Sequence, residues 1–547
     1  EPETQTKYSV FPLVDIHLYG QFGYTETKGL LIIVIIFSLI AVFLLLIACI
    51  NFINLATARA ASRGKEIGIK KVSGSDKRSL VYQFMMESML QVAAAMVIAF
   101  ILIGLSLGLF NNISGKLFVF SDLLTARFLL AFLSAGLVAG FVSGVYPSFY
   151  MSAINPVKVL KGETLSGRGN GRLRQVLVVV QFTLSILIAL SAVFMYRQLA
   201  FMQEKDLGFD KNNLIAIQMG GDIKSKYYSL KKELEKDVLI QGVTAALWNP
   251  VRIGSNSGGA SWPGKDPDKH VLIGTNGVDY DYISTLKMEL VSGRDFSREF
   301  PSDFARDTTG NFLINEEVVR LMDVGDPIGK SFSFMGISGT IIGVMKNFHF
   351  KGADQPIEPV AFLLADTSYL SQILIRLTPG NVPGSLKAVE KVWKEVLPEY
   401  PLDYSFIDQD YSYHFRTVNR VTKLLGYFTV LAVFIACIGL FGLASYSAEK
   451  RTNEIGIRKV MGAGSLSVIY SMSKEFILLV MISIVIAFPA GWFILKKLLT
   501  QFPYRIDLEI WVFGVIALAT MGIALLTVIW QSYRASGINP AQALKLE

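Results

Sequence analysis

The run Glu66-Ile67-Gly68-Ile69-Lys70-Lys71-Val72 returns 388 residues later as Glu454-Ile455-Gly456-Ile457-Arg458-Lys459-Val460. The same offset pairs Ile47-Ala48-Cys49-Ile50 with Ile435-Ala436-Cys437-Ile438, Gly74 with Gly462, and Glu87 with Glu475. Further on, Ile154-Asn155-Pro156 and Leu160-Lys161 return as Ile538-Asn539-Pro540 and Leu544-Lys545, now offset by 384. Self-similarity over so long a stretch marks a duplicated structural unit. Each copy reads as a span, a basic loop, two further spans and an Ile-Asn-Pro tail.

Seven stretches around these copies contain no Asp, Glu, Lys or Arg: 29–53, 89–110, 128–146, 176–195, 424–444, 476–495 and 510–530. A helix needs roughly 20 apolar residues to cross about 30 Å of hydrocarbon, and these stretches are 19 to 25 residues long. The sequence therefore predicts a polytopic α-helical membrane protein with seven transmembrane helices. A secreted enzyme, a nucleic-acid module and a peripheral membrane protein are excluded. Composition agrees: of 547 residues, 52% are hydrophobic and 18% charged, where soluble proteins carry about 25% charged residues.

The formal charge of +8 is unevenly spread. Residues 201–420 hold 24 Lys and Arg against 29 Asp and Glu, so the basic excess lies in the membrane half. Segments 54–88, 147–175, 445–475 and 531–547 carry 7, 5, 5 and 2 Lys and Arg, against 2 and 3 in segments 111–127 and 496–509. Positive loops face the cytoplasm, which places the C-terminus inside and 201–420 outside. This region is expected to be a large α+β extracytoplasmic domain. Its two ends, around 196–206 and 409–423, read as extensions of the spans. Both cysteines, Cys49 and Cys437, lie within spans, so the external domain folds without disulfides.

The expected organisation follows. Residues 1–28 end a first extracytoplasmic domain, 29–162 form the first three-span repeat unit, and 163–200 hold a linker and the fourth span. Residues 201–420 form the external domain and 421–547 the second unit. Since the halves are equivalent, the complete protein is expected to have eight spans and two external domains. Within 201–420, β-rich runs at 212–218, 339–345 and 372–377 alternate with helical patterns at 225–236, 314–323 and 384–397. Asp279 through Leu290 reads as a helix running into a turn at Gly293-Arg294-Asp295-Phe296.

Each basic loop reads as a short amphipathic helix, a glycine break and a re-entering span. In the first, Gly74 suits a helix C-terminus and Ser75-Asp76 an N-cap. Positive-inside bias explains the charge but not the repeated Glu-Ile-Gly-Ile order, so the loops are read as docking elements for a cytoplasmic partner. The expected docking residues are Arg63, Glu66, Ile67, Gly68, Lys70, Lys71 and Gly74, with Arg451, Glu454, Ile455, Gly456, Arg458, Lys459 and Gly462 in the second copy. Glu87 and Glu475, close to the inner ends of spans, are expected to pair with neighbouring Lys or Arg. Pro147 and Pro489 read as kinks or helix ends, and Gly136, Gly140 and Gly144 as a close-packing stripe.

Catalytic chemistry is hard to find. Gly325-Asp326-Pro327-Ile328-Gly329-Lys330-Ser331 has three residues between its glycines where a phosphate loop needs four, and reads as a turn. His17, His270, His349 and His414 show no metal-ligand spacing, and no hydrolase motif occurs.

The duplicated Glu-Ile-Gly-Ile-Lys/Arg-Lys-Val-x-Gly loops, the Ile-Asn-Phe-Ile-Asn-Leu-Ala-Thr-Ala-Arg run at 50–59 and Gly144-Val145-Tyr146-Pro147 resemble the MacB/FtsX-like permeases of ABC transporters. Ser292-Gly293-Arg294-Asp295-Phe296, Ile314-Asn315-Glu316 and Ile342-Gly343-Val344-Met345-Lys346-Asn347-Phe348-His349-Phe350 resemble their external domain. The likeness is to the double-length subgroup, with its first span and most of its first external domain absent. Family members often have Asp where this chain has Asn347.

The resemblance implies a permease of the bacterial inner membrane with no cofactor of its own, ATP being bound by a separate cytoplasmic ABC ATPase dimer. ATP-driven closure would act on coupling helices at 63–74 and 451–462 and reach the external domain through stalks. The partners implied are that ATPase dimer, membrane lipid, and a periplasmic adaptor or outer-membrane protein, with no nucleic acid. Fold does not settle cargo. The alternative is a signalling scaffold acting on an external enzyme or sensor kinase; a membrane-embedded enzyme ranks last.

Overall fold

The computed structural model describes residues 12–13, 28–60, 63–153, 168–266, 271–450, 457, 460–461 and 464–536. It divides into two units: Glu1–Tyr196, Asn419–Leu498 and Asp507–Glu547 form one, Arg197–Val418 and Leu499–Ile506 the other. Segment 1–27, and with it the expected end of a first external domain, lies outside the described residues apart from 12–13.

Among the described residues of the first unit and the helices leading from it, seven helices are long and apolar enough to cross a membrane. They run Lys28–Ala60, Lys77–Ser114, Ala126–Ser152, Arg168–Glu204, Arg416–Lys450, Ser465–Leu499 and Ile510–Ser536. Each contains one of the charge-free stretches, and each extends beyond it, because flanking polar residues continue the helix into the interface. Leu90, Val97, Ile101 and Leu105 lie exposed along one of these helices, as a surface facing lipid requires. Pro147 and Pro489 sit inside their helices and end neither.

The glycine stripe is a packing surface. A Cβ at Gly136 would lie 1.8 Å from Met96 Sδ, one at Gly140 2.7 Å from Met89 Sδ, and one at Gly144 3.0 Å from Met85 Sδ. The order is antiparallel: as the glycine number rises, the methionine number falls. Helices Lys77–Ser114 and Ala126–Ser152 therefore approach closely, with flexible methionines filling what the missing side chains leave.

Helices Lys28–Ala60 and Arg416–Lys450, which carry the equivalent parts of the repeat, pack side by side. Phe37 meets Phe428 edge-on at 5.9 Å. Ile47, Ile188 and Ala432 share one buried cluster, with Ile435 against it. Contacts advance along both helices together, so the pair is parallel.

The second unit is a mixed sheet covered on both faces. Its strands are β1 (Leu214–Gln218), β2 (Ile240–Ala246), β3 (Ser255–Ser257), β4 (Ile273–Val278), β5 (Leu290–Gly293), β6 (Phe312–Asn315), β7 (Ser331–Phe334), β8 (Ile337–Met345), β9 (Val360–Leu364), β10 (Gln372–Leu377) and β11 (Tyr404–Phe406). Their order is β11-β1-β10-β2-β4-β9-β6-β8-β5, with β3 on β4 and β7 on β8. The β4–β9 and β6–β8 pairs are parallel.

Strand alternation builds the cores. Leu214, Ala216, Leu374, Val360, Phe362 and Leu313 enter one cluster that runs along a whole face. Ile215, Ile217, Ile373 and Ile375 point the other way, onto helices Asp222–Leu234 and Val382–Val396. Phe312, Ile314, Ala361 and Leu363 form a separate cluster on that second face. The expected strands at 212–218, 339–345 and 372–377 and the three expected helices are all present within a few residues.

One expectation fails. Between Asp279 and Leu290 only Tyr282–Leu286 is helical, and Leu290–Gly293 is strand β5, paired with β8. Lys287 adopts a left-handed conformation, φ 55°, which ends the helix after one turn. At Gly293, φ is 78° and a Cβ would stand 2.2 Å from the Ile342 carbonyl oxygen, so glycine is required there. The outer stretch 409–423 is also interrupted: a short helix Ile407–His414 ends at Phe415 before the long helix begins at Arg416.

Candidate functional site

The first basic loop folds as a helix, Gly64–Val72, closed at its C-terminal end. At its C-terminus the Ser75 amide donates to the Lys70 carbonyl (3.0 Å) and the Gly74 amide to the Lys71 carbonyl (3.1 Å). With Gly74 at φ 94°, this is a Schellman motif. The next helix starts two residues later, where Asp76 Oδ1 accepts from the Ser79 amide at 2.7 Å. The helix, the glycine break and the N-cap all match the reading of the residues, and the turn allows no slack between loop and span.

A nine-residue helix has little stability alone, so its packing decides where it sits. Ile67 is wholly buried among Leu80, Phe84 and Met151, and Gly68 is buried beside it. Arg63 Nη1 donates to both oxygens of Glu87, at 2.7 and 2.9 Å. Lys70 donates to Gln83 Oε1 at 3.4 Å and pairs with Glu66 at 2.9 Å. The hydrogen bond from Lys70 to Glu66 holds the Glu66 carboxyl below its usual range, while burial pulls the Lys71 ammonium below its own. A cavity of about 330 Å³ lies behind the helix, lined by Arg63, Glu87, Phe52, Gln91 and Pro147 among others.

The residues chosen from the sequence thus divide into two groups. Ile67, Gly68 and Arg63 fix the helix to its span; they are not its outer face. That face carries two exposed apolar side chains, Ile69 at 59% and Val72 at 67%, beside the exposed Glu66. Sequence reasoning did not single out Ile69. The available signal was its recurrence as Ile457, which is 51% exposed, next to Val460 at 65%. Exposed apolar side chains on a cationic helix make a surface suited to docking. In the second copy, Arg451, Glu454, Ile455, Gly456, Arg458, Lys459 and Gly462 lie outside the described residues.

The motifs of the external unit serve its architecture. Asn315 Oδ1 accepts from the Val318 and Val360 amides while its Nδ2 donates to the Glu358 carbonyl at 2.9 Å. Asn347 Oδ1 accepts from the Glu317 amide (3.2 Å), and Asn347 Nδ2 donates to Glu317 Oε1 (3.3 Å). The second bond needs an amide, which accounts locally for asparagine at this position. Arg294 holds the fully buried Asp303 through two bonds of 2.6 and 2.9 Å. The run from Gly325 to Ser331 is a turn: Asp326 Oδ1 accepts from the Ile328 amide, and the Lys330 amide donates to the Pro327 carbonyl.

The loop between the last two membrane helices, Leu499–Ile506, belongs to the external unit. The buried Gln198 donates to the Tyr504 carbonyl (2.7 Å) and accepts from the Ile506 amide (3.0 Å). Lys205 stands 4.2 Å above the Tyr504 ring, and His349 meets that ring edge-on at 4.8 Å.

A duplicated permease unit with a mixed-sheet domain between its copies defines an ABC transporter permease of the MacB-like class. The chain belongs to this family. The FtsX-like permease C-terminal model matches residues 38–156 and 426–540, and the MacB-like periplasmic core domain model matches 183–390. The two FtsX-like matches begin 388 residues apart and end 384 apart, the offsets of the repeat. Relatives include the uncharacterized ABC transporter permease YvrN of Bacillus subtilis, 23% identical, covering 50% of this chain and 69% of that protein. The macrolide export ATP-binding/permease protein MacB of Haemophilus ducreyi is 25% identical over 34% of this chain and 28% of its own length. The probable syringafactin export ATP-binding/permease protein SyfD of Pseudomonas syringae is 28% identical over 34% and 29%. The chain thus spans less than a third of these two export proteins. Among solved structures, the periplasmic region of MacB from Actinobacillus actinomycetemcomitans aligns at 15% identity over 39% of this chain and 96% of that one, with a TM-score of 0.27.

Proposed function

We propose that this chain is the permease subunit of a mechanotransmission ABC transporter. A separate cytoplasmic ATPase dimer grips helix Gly64–Val72 and its repeat at 451–462. Closure of that dimer moves the external domain and extrudes a substrate still to be identified. The C-terminus lies in the cytoplasm of a bacterial cell, and the domain of residues 201–420 lies outside the inner membrane, where an adaptor or outer-membrane protein would meet it. ATP binds to the partner, not to this chain.

One observation carries the reading: the apolar side chains of Ile69 and Val72 point outward from a helix whose other side is tied down by Ile67 and the Arg63–Glu87 pair. Such a helix transmits a push instead of yielding to it. The test is co-expression with the candidate ATPase, comparing the parent with Ile69→Asp/Ile457→Asp. A desolvated carboxylate at a docking centre costs at least about 2 kcal/mol, roughly thirtyfold in affinity. The variant is expected to lose the ATPase during purification while keeping its own fold. Retention of the ATPase at parental levels would refute the docking role.

A further inference from the structure

The two halves agree at Ile47 to Ile50 and Ile435 to Ile438 and then diverge. Asn51 becomes Gly439 and Asn54 becomes Gly442, between neighbours that stay apolar. These divergent positions lie where the equivalent helices Lys28–Ala60 and Arg416–Lys450 meet. A Cβ on Gly439 would stand 2.8 Å from Asn51 Oδ1 and 3.1 Å from Gln181 Nε2; one on Gly442 would stand 2.2 Å from Leu55 Cδ2. Asn51 thus faces its own repeat counterpart, and the helices run in register at the repeat offset. This is the geometry of a two-fold interface in which a position meets its equivalent, but the equivalents differ: a polar side chain on one side, its absence on the other.

We propose that Asn51 and Gly439, with Leu55 and Gly442, form an order-specific lock: the first half accepts the second half of the same chain and rejects a second copy of itself. Two first halves in this register would bring asparagine against asparagine where there is room for one side chain. Two second halves would leave an unfilled gap at the paired glycines. Only the mixed pair fills the space.

The polar content sharpens the choice. Gln181 and Asn54 are almost wholly buried, and Asn51 Oδ1, Gln181 Nε2 and both polar atoms of the Asn54 amide find no hydrogen-bond partner among the described residues. Uncompensated amides are costly in an apolar bundle. Their documented use elsewhere is to fix register and partner at the expense of stability. Here the Asn51 acceptor and the Gln181 donor flank the same glycine, so the seam tolerates them only while position 439 has no side chain.

The test is a double-mutant cycle on the full chain, purified in detergent and followed by its thermal unfolding midpoint. Gly439→Asn, which makes the halves alike, is expected to lower the midpoint by roughly 2 to 4 °C. Asn51→Gly, which opens a gap, lowers it less. In the exchange variant Asn51→Gly/Gly439→Asn, the side chain at 439 enters the volume vacated at 51, and more than half of the loss is recovered. If Gly439→Asn does not fold, Gly439→Ala replaces it in the same cycle, with a smaller loss and the same recovery. Additive losses in the exchange variant, or a parental midpoint for Gly439→Asn, would overturn the lock.

Discussion

Replacing Ile67 with alanine tests whether the first coupling helix is a rigid element. Ile67 is wholly buried, and its neighbours Leu80, Phe84 and Met151 are themselves within buried surroundings, so little can collapse into the gap. Such a truncation costs about 2 to 4 kcal/mol. Only nine residues lie in the helix, and the remaining ties to the next helix, Arg63–Glu87 and Lys70–Gln83, involve partly exposed groups that hold it less strongly than the Ile67 side chain. The loss therefore falls on the docking of this helix and not on the bundle. Local opening should rise roughly 30- to 1,000-fold, with the global unfolding midpoint almost unmoved. Hydrogen–deuterium exchange of the full chain reads this directly in peptides covering 64–72. Ile69→Ala is the control: its side chain is 59% exposed, so exchange should stay within about 0.5 kcal/mol of the parent. Unchanged exchange in Ile67→Ala, or greater exchange in Ile69→Ala, would refute the assignment of inner and outer faces.

Three further outcomes are expected. Lys231 and Asp279 are 3% and 1% exposed and 3.1 Å apart, so Lys231→Met strands a buried carboxylate and should cost about 3 to 5 kcal/mol; calorimetry of the full chain checks this, and a loss below 1 kcal/mol would contradict it. Burial raises the Asp295 carboxyl to about 6, so the folded state holds a proton that the unfolded state releases near pH 4. Stability contributed by this group falls as pH rises from about 4 to 6, and Asp295→Asn should flatten that slope and raise the midpoint at pH 7. Burial lowers His349 to about 4, which gives the opposite sign: stability falls as pH drops from about 6.5 to 4, and His349→Gln should remove that loss. Midpoints measured across pH 4 to 7 separate the two variants.

What could be read from the residues depended on the range of the forces involved. Membrane helices need only an uncharged run of sufficient length, so all seven were legible, and the repeat located the coupling loops without any knowledge of packing. Strand periodicity revealed β1, β8 and β10 for the same local reason. The face of the Gly64–Val72 helix was not legible. Its apolar residues at 67, 69 and 72 satisfy more than one orientation, and the choice rests on Met151, some 80 residues away in sequence. Strand β5 was hidden because Leu290–Gly293 has no alternation of its own and exists by pairing with β8. The attachment of loop Leu499–Ile506 to the external unit depends on Gln198, 300 residues earlier, and no local pattern announces it.

The most direct measurement of the central claim is site-specific photo-crosslinking from Ile69 and from Ile457 in native membranes. The account predicts that both positions capture a cytoplasmic ABC ATPase, whereas a probe at the lipid-facing Leu105 does not. An ATPase that purifies with the chain yet crosslinks at neither position would contradict it.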